Sequence, residues 1–369
     1  MVKVGIMSMQ RIANYGSFLQ AYGLKSILQE IGCDVEFVDY HPGKTIIKSD
    51  CEAGVIRKIF KVIDVMKYDA PLKDKIRFMI FKKNYGLNYY HYLGISEELN
   101  YSPNLDVLVI GSDEVFNCVQ NNTNVGFSPE LFGEDNNADK VITYAASFGN
   151  TTFDKLKKYN LDKQVKGWLK RMGAISVRDR NSGKIVKELL DSEPQYHLDP
   201  VLAYDYVNKC KEIPDTVPYY NYMILYGYSG RFTREECRVI RNYASKRKLR
   251  ILCIGGVQDS CDEFLDCNPF EVIAYFQHAE CIITDTFHGT ILSIISHKPF
   301  VSVIRESGYG NSEKMLDLLE RLALSERILE KNTSLEELLE KTIDYSTVED
   351  ILQKERKRTY IYLKNEIIK

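Results

Sequence analysis

One tryptophan, Trp168, stands among 369 residues, and an excess of either charge is also missing: 49 Lys plus Arg oppose 51 Asp plus Glu, for a formal net charge of −2. A chain held on nucleic acid by phosphate neutralisation carries a basic surplus, so nucleic acid is not an expected partner. No run approaches the ~18 apolar residues needed to span a bilayer. Met1–Met7 reads as a strand and not as a signal peptide, because its apolar stretch is short and runs straight into polar residues. The nine cysteines (33, 51, 118, 210, 237, 253, 261, 267 and 281) are odd in number, form no C-x-x-C pair and sit partly in apolar runs such as Leu252-Cys253-Ile254. That pattern predicts reduced, packed thiols in a cytoplasmic protein and no disulfide framework. The six histidines are scattered, so no metal site is expected. Neither G-x-G-x-x-G nor G-x-x-x-x-G-K-[ST] occurs, which removes the dinucleotide fingerprint and the P-loop.

What is present is a globular composition, 44% apolar and 27% charged, with 25 tyrosines. Tyrosine offers a flat apolar face and a hydroxyl, which suits polar, ring-shaped ligands as well as cores. Short apolar runs alternate with amphipathic segments. Strands are predicted at Val2–Met9, Asp34–Tyr40, Leu105–Ile110, Val141–Phe148, Ala174–Val177 and Tyr196–Leu198, with a helix over Ser17–Ile31. After a Lys-, Glu- and Pro-bearing break at Val207–Pro218 the alternation restarts. Strands at Tyr222–Tyr228, Arg250–Ile254, Cys281–Thr284 and Phe300–Ile304 then alternate with helices over Thr233–Lys246, Phe270–His278 and from Thr290. Helices over Ser312–Leu322, Ser334–Thr342 and Val348–Ile368 complete the chain. Continuous apolar strands between helices indicate parallel sheets buried on both faces. The predicted architecture is α/β: two Rossmann-like doubly wound domains, 1–206 and 207–345, facing a central cleft. A helix over 346–369 returns to the first domain.

Almost every predicted strand ends in a polar or glycine-bearing turn, where open α/β sheets bind their ligands. Asn14-Tyr15-Gly16-Ser17 lies where a strand becomes a helix, so Gly16 lets the backbone approach an anion, unless Ser17 is simply the helix cap. Ser112, Asp113 and Asn117, in Gly111-Ser112-Asp113-Glu114-Val115-Phe116-Asn117, either bind sugar hydroxyls or cap a following helix. Asp285-Thr286-Phe287-His288-Gly289-Thr290 holds His288 at a strand-to-helix turn, where an imidazole can meet an anion or move a proton. Arg178 and Arg305 each follow an apolar strand. Two guanidiniums aimed into one cleft suit a doubly anionic small substrate, the alternative being local ion pairs with Asp179 or Glu306. Residues 57–83 carry nine Lys and Arg against three Asp, interleaved with apolar residues. Such a stretch is either a solvated helix face or a peripheral contact with an anionic membrane.

Taken in order, these turns resemble the polysaccharide pyruvyl transferase family. The resemblance rests on Asn14-Tyr15-Gly16-Ser17, Gly111–Asn117, Tyr144-Ala145-Ala146-Ser147-Phe148-Gly149, Ser176-Val177-Arg178-Asp179, Leu198-Asp199-Pro200-Val201 and Asp285–Thr290. It continues through Lys298-Pro299-Phe300 and the block from Asn311 to Arg327. It implies a GT-B-like fold, phosphoenolpyruvate as co-substrate without a further cofactor, and a glycan acceptor, free or lipid-linked, in bacterial surface polysaccharide biosynthesis. The product would be a hexose carrying a cyclic pyruvate ketal. The family's histidine before glycine falls on His288. An arginine that relatives carry two residues before it is replaced here by Thr286. On this reading His288, Arg178 and Asp285 are catalytic. Arg178, Arg305, Thr286, Phe287, His288, Gly289 and Thr290 bind the donor, and Asn14, Tyr15, Gly16, Ser17, Ser112, Asp113 and Asn117 bind the acceptor. Cytoplasmic placement, at the inner face of the membrane, would follow. Two other readings fit the same pattern: a metal-independent nucleotide-sugar glycosyltransferase, and a catalytically silent glycan-binding subunit, which the Thr286 departure favours.

Overall fold

The computed structural model describes residues 1–47, 65–305, 312–330 and 333–368. Residues 57–64 of the basic stretch, Cys51, Glu306 and Asn311 lie outside the described residues.

Two parallel sheets organise the chain. In the first half, β1 (Lys3–Met7), β2 (Asp34–Phe37), β3 (Asn104–Ile110) and β4 (Asn137–Thr143) lie in the order β2-β1-β3-β4. A short parallel pair, β5 (Ser176–Val177) and β6 (Gln195–Tyr196), continues beyond β4 through single bridges from Ile142 to Ala174 and from Ala146 to Val177. In the second half, β7 (Tyr222–Tyr226), β8 (Arg250–Ile254), β9 (Glu263–Phe264), β10 (Cys281–Thr284) and β11 (Phe300–Ser302) lie in the order β11-β10-β7-β8-β9. All their pairings are parallel. Every residue of β7 and β10 is buried, as expected for strands covered on both faces. The predicted α/β class and the two doubly wound halves are those observed.

The strand order reverses between β1 and β3 in one sheet and between β7 and β10 in the other. Each reversal opens a crevice beyond the carboxyl ends of the strands, because successive crossovers leave in opposite directions. The segments that follow these four strands, Asn14–Ser17, Gly111–Asn117, Gly227–Arg231 and Asp285–Gly289, are therefore brought to the line where the halves meet.

Several element limits differ from the sequence reading. The predicted strand Val141–Phe148 ends at Thr143, and Ala145 takes φ +47, so 144–148 leaves the regular ladder. The first helix begins at Tyr15 and is capped by Asn14, whose side chain accepts from the Ser17 amide; Ser17 is not the cap. The helix expected from Thr290 begins at Phe287, because the Thr286 hydroxyl caps it by accepting from Gly289 N. His288 consequently belongs to a first helical turn. No helix follows Ile110 directly; Asp113 sits instead at φ +76, in the left-handed region that Asp and Asn enter more readily than most non-glycine residues. The eight described cysteines are buried free thiols.

One hydrophobic core runs through both halves. The first helix, Tyr15–Glu30, sends Phe18 and Tyr22 edge-on against Phe270 of the second half, and the Tyr15 hydroxyl donates to the Cys267 carbonyl at 2.8 Å. The C-terminal helix Tyr345–Ile367 crosses back to the first half. There Tyr362 Oη donates to the Thr143 carbonyl at 2.8 Å and Lys140 pairs with Glu366 at 2.9 Å. Because Phe270 is 1% exposed, Phe270→Ala is expected to cost about 3–5 kcal/mol. Urea unfolding should still show one transition, since the cavity opens in a core both halves share; two separated transitions would contradict that continuity.

Candidate functional site

A cleft of about 520 Å³ lies along the line where the halves meet. Asn14, Ser17, Asp113, Glu114 and Asn117 line it from the first half, and Tyr228, Arg231, Thr286, His288 and Lys314 from the second. A larger hollow of about 690 Å³ lies within the second half, mostly lined by apolar side chains such as Phe232, Val239, Ile283 and Leu316. Among the described residues no histidine, lysine or arginine lines it, whereas the smaller cleft gathers Arg231, His288 and Lys314.

At the base of the cleft lies Asp199, with its side chain fully buried. Arg178 Nη1 donates to Asp199 Oδ2 at 2.6 Å, and His288 Nε2 stands 3.5 Å from the same oxygen. Burial alone would push the Asp199 carboxyl up, but His288 and Arg178 outweigh it and hold the group well below the usual carboxylate range. The other Asp199 oxygen accepts from Val201 N, at the start of a short helix that Pro200 opens. Arg178 also reaches Asp113 Oδ1 at 3.4 Å and stacks its guanidinium on Phe287, 4.5 Å from the ring centroid. Burial raises the Asp113 carboxyl, and Arg178, His288 and Lys314 lower it further than that. Lys314 pairs with Glu114, and its Nζ lies 5.4 Å from the Phe287 ring centroid. Ser17 Oγ donates to Asp113 Oδ2 at 3.0 Å, which ties the first helix to this network.

His288 is fixed from the other half as well. A Cβ on Gly16 would overlap the His288 ring, so only glycine allows the first helix to press against the imidazole. Sequence reading placed a glycine there for anion approach; the neighbour it accommodates is a side chain.

A second network lies behind the turn Asp285–Gly289. Asp285, with no exposed side-chain surface, sits between Arg231 at 2.9 Å and Arg305 at 3.0 Å. Burial raises its carboxyl, with the two guanidiniums opposing. Arg305 continues to Glu236 at 2.6 Å.

The structure thus brings together His288, Arg178, Asp113, Asn14, Ser17, Asn117, Thr286 and Phe287 among the residues named from sequence. It turns others away. Arg305 is bound to Asp285 and Glu236 and does not line the cleft, and Asp285 holds arginines instead of facing a ligand. Ser112 and Thr290 are fully buried, donating to Ala145 O and to Thr286 O. The Gly289 amide is taken by Thr286, and the Tyr15 hydroxyl by Cys267. Arg178 pairs with Asp199 and Asp113, not with its neighbour Asp179. Asp199, Arg231 and Lys314 were missed as site residues. Asp199 lay in a recognised Asp-Pro turn and Arg231 closes a polar turn after β7, so both had a local signal. Lys314, on a surface-like helix, had none. Among the described residues no group of three or more His, Cys, Asp or Glu is placed to hold a metal ion.

Two consequences are measurable. Gly16→Ala should displace the His288 ring and cost about 1–3 kcal/mol in chemical unfolding; an unchanged midpoint and unchanged His288 NMR shifts would show that the contact is not tight. The Asp199 carboxyl is lower in the folded than in the unfolded chain, so its contribution to stability is complete above about pH 4. It is lost as the pH falls toward the folded value. Asp199→Asn should therefore lower stability at neutral pH and flatten its decline below pH 4, read by urea titration at several pH values.

A family model described as polysaccharide pyruvyl transferase matches residues 14–307. No curated protein matches. Among solved structures, the chain is similar to the glycotransferase of kitacinnamycin, at 11% identity and TM-score 0.45 over 99% of both chains. It is also similar to a putative UDP-N-acetylglucosamine 2-epimerase from Listeria monocytogenes, at 10% and 0.46 over 96% of this chain and 91% of that one. A UDP-glucosyltransferase from Polygonum tinctorium gives 10% and 0.46 over 100% and 99%.

Proposed function

Because the chain belongs to the polysaccharide pyruvyl transferase family, we propose that it transfers the enolpyruvyl group of phosphoenolpyruvate to two hydroxyls of a glycan hexose. The products are a cyclic pyruvate ketal and inorganic phosphate. The observation that carries this reading is the gathering of Arg231, His288 and Lys314 around one cleft, with Arg178 directly beneath. A small molecule bearing both phosphate and carboxylate needs such cationic walls, and a sugar diol needs the hydroxyl and amide groups facing them.

The reaction balances with these groups. One hydroxyl adds to C2 of the enol phosphate while a proton reaches the methylene carbon, giving a tetrahedral centre that carries methyl, carboxylate, phosphate and the sugar oxygen. Phosphate leaves with the electrons of its C–O bond, and the second hydroxyl attacks C2. Of the two hydroxyl protons, one ends on the methyl group and the other on phosphate. His288, held between Asp199 and Gly16, is the proton carrier. Arg231 and Lys314 neutralise the donor, taking the part that sequence reading gave to Arg305. Asp113, Ser17, Asn14 and Asn117 orient the diol from the first half. Arg178 acts through Asp199 and Asp113 as a positioning residue, since its side chain is only 2% exposed.

The test is phosphate release from phosphoenolpyruvate and a hexose-bearing acceptor. His288→Ala should lower kcat by about 10²-fold or more, and Arg231→Ala should raise KM for phosphoenolpyruvate by about tenfold with a smaller effect on kcat. Full turnover by folded His288→Ala removes the proton-carrier role. Thermal stabilisation by UDP- or GDP-sugars, with none by phosphoenolpyruvate and no phosphate released, would replace this reading with a glycosyltransferase.

A further inference from the structure

The helix Leu72–Tyr89 has two unlike sides. Its inner side is occupied: Phe81, Tyr85 and Tyr89 are buried, and Phe81 packs on Tyr15 and Phe264. Phe81 and Lys82 also wall a small cavity together with Tyr226, Tyr228 and Thr286, residues of the cleft. On the outer side, Leu72 is 56% exposed, Ile76 45%, Ile80 53% and Leu87 69%. Large apolar side chains scattered singly on a surface are ordinary, but four on one face of one helix are not.

Their angular positions sharpen the point. At about 100° per residue, these four fall within an arc of about 80°, and Lys83 and Lys73 lie within or at the border of the same arc. Both lysines are exposed. Arg77 flanks them, engaged with Glu263 and Asp74. The helix has one carboxylate, Asp74, and it is fully buried on the other side. The outer face therefore presents apolar and cationic groups and no acid.

We propose that this face docks the protein on an anionic lipid bilayer. The helix would lie in the membrane plane, its four apolar side chains at the acyl boundary and Lys73 and Lys83 among headgroup phosphates. Charge selects this occupant. A second copy docked through the same face would set lysines against lysines with no carboxylate to receive them. The four apolar side chains need a hydrocarbon surface, and the lysines need fixed anions beside it. The inner side of the helix walls a small cavity that shares Asn14, Tyr226, Tyr228 and Thr286 with the cleft, so the edge of the site would lie about one helix diameter, 10–12 Å, from the bilayer. An acceptor carried on a lipid is then within reach. No helix among the described residues is long and apolar enough to cross a membrane, so attachment is at the surface.

The experiment is sedimentation with sucrose-loaded vesicles of phosphatidylcholine alone or mixed with phosphatidylglycerol. Wild-type protein should pellet with the mixed vesicles and much less with the neutral ones, and added salt should weaken binding. The double variants Ile76→Ser/Ile80→Ser and Lys73→Glu/Lys83→Glu should each bind about tenfold more weakly or worse. Phosphate release with a water-soluble acceptor should be unchanged in both, which keeps this outcome separate from that of the proposed reaction. The proposal is overturned by wild type that fails to pellet, by equal binding to neutral vesicles, or by variants that bind as well as wild type. Light scattering that finds a dimer dispersed by Ile80→Ser, without vesicle binding, assigns the face to a second copy instead.

Discussion

The site depends on one buried carboxylate. Asp199 is shielded from solvent and receives Arg178 from its own half and His288 from the other. Removing the Asp199–Arg178 ion pair from water carries a desolvation cost that its mutual attraction only offsets when the geometry is close and other lone pairs are satisfied. Here the second oxygen of Asp199 takes a backbone amide, and Arg178 divides its donors between Asp199 and Asp113. Such an arrangement adds little net stability over apolar residues of equal volume. Its effect is geometric: it sets where the second half stands relative to the first and which way the imidazole points.

Around that pivot, packing between the two halves borders the cleft. Helix Tyr15–Glu30 is capped by Asn14 at the edge of the cleft and drives aromatic side chains into the second half. The helix Tyr345–Ile367 closes the chain back over β4. Two polar networks then divide the work. Asp199, Asp113 and Arg178 surround His288, while Asp285, Arg305 and Glu236 support Arg231 from behind. Each is centred on a carboxylate whose side chain has no exposed surface, Asp199 in one and Asp285 in the other, where low dielectric strengthens the contacts.

The Thr286 position shows how a departure from a family pattern can be absorbed. Threonine there caps the helix that carries His288, a role an arginine side chain would not fill. Cationic side chains reach the cleft from elsewhere, Arg231 from the turn after β7 and Lys314 from the helix Ser312–Arg321. The cationic side chains of the cleft thus come from two segments other than the turn that carries His288.

Sequence by itself settled the elements that are governed by short-range physics. Apolar runs of strand length, glycine and proline punctuation, and the order of the turns identified two parallel-sheet halves and the four segments that meet at the cleft. They also identified His288, Arg178 and Asp113. Sequence could not decide which charge faces which. Arg305 and Arg178 read alike, each an arginine after an apolar strand, yet one is spent on Asp285 and Glu236 and the other supports the cleft. Gly16 offered room without revealing that His288 fills it, and Lys314 carried no local mark at all. Pairings of this kind join residues up to hundreds of positions apart, and only the tertiary structure sets those distances.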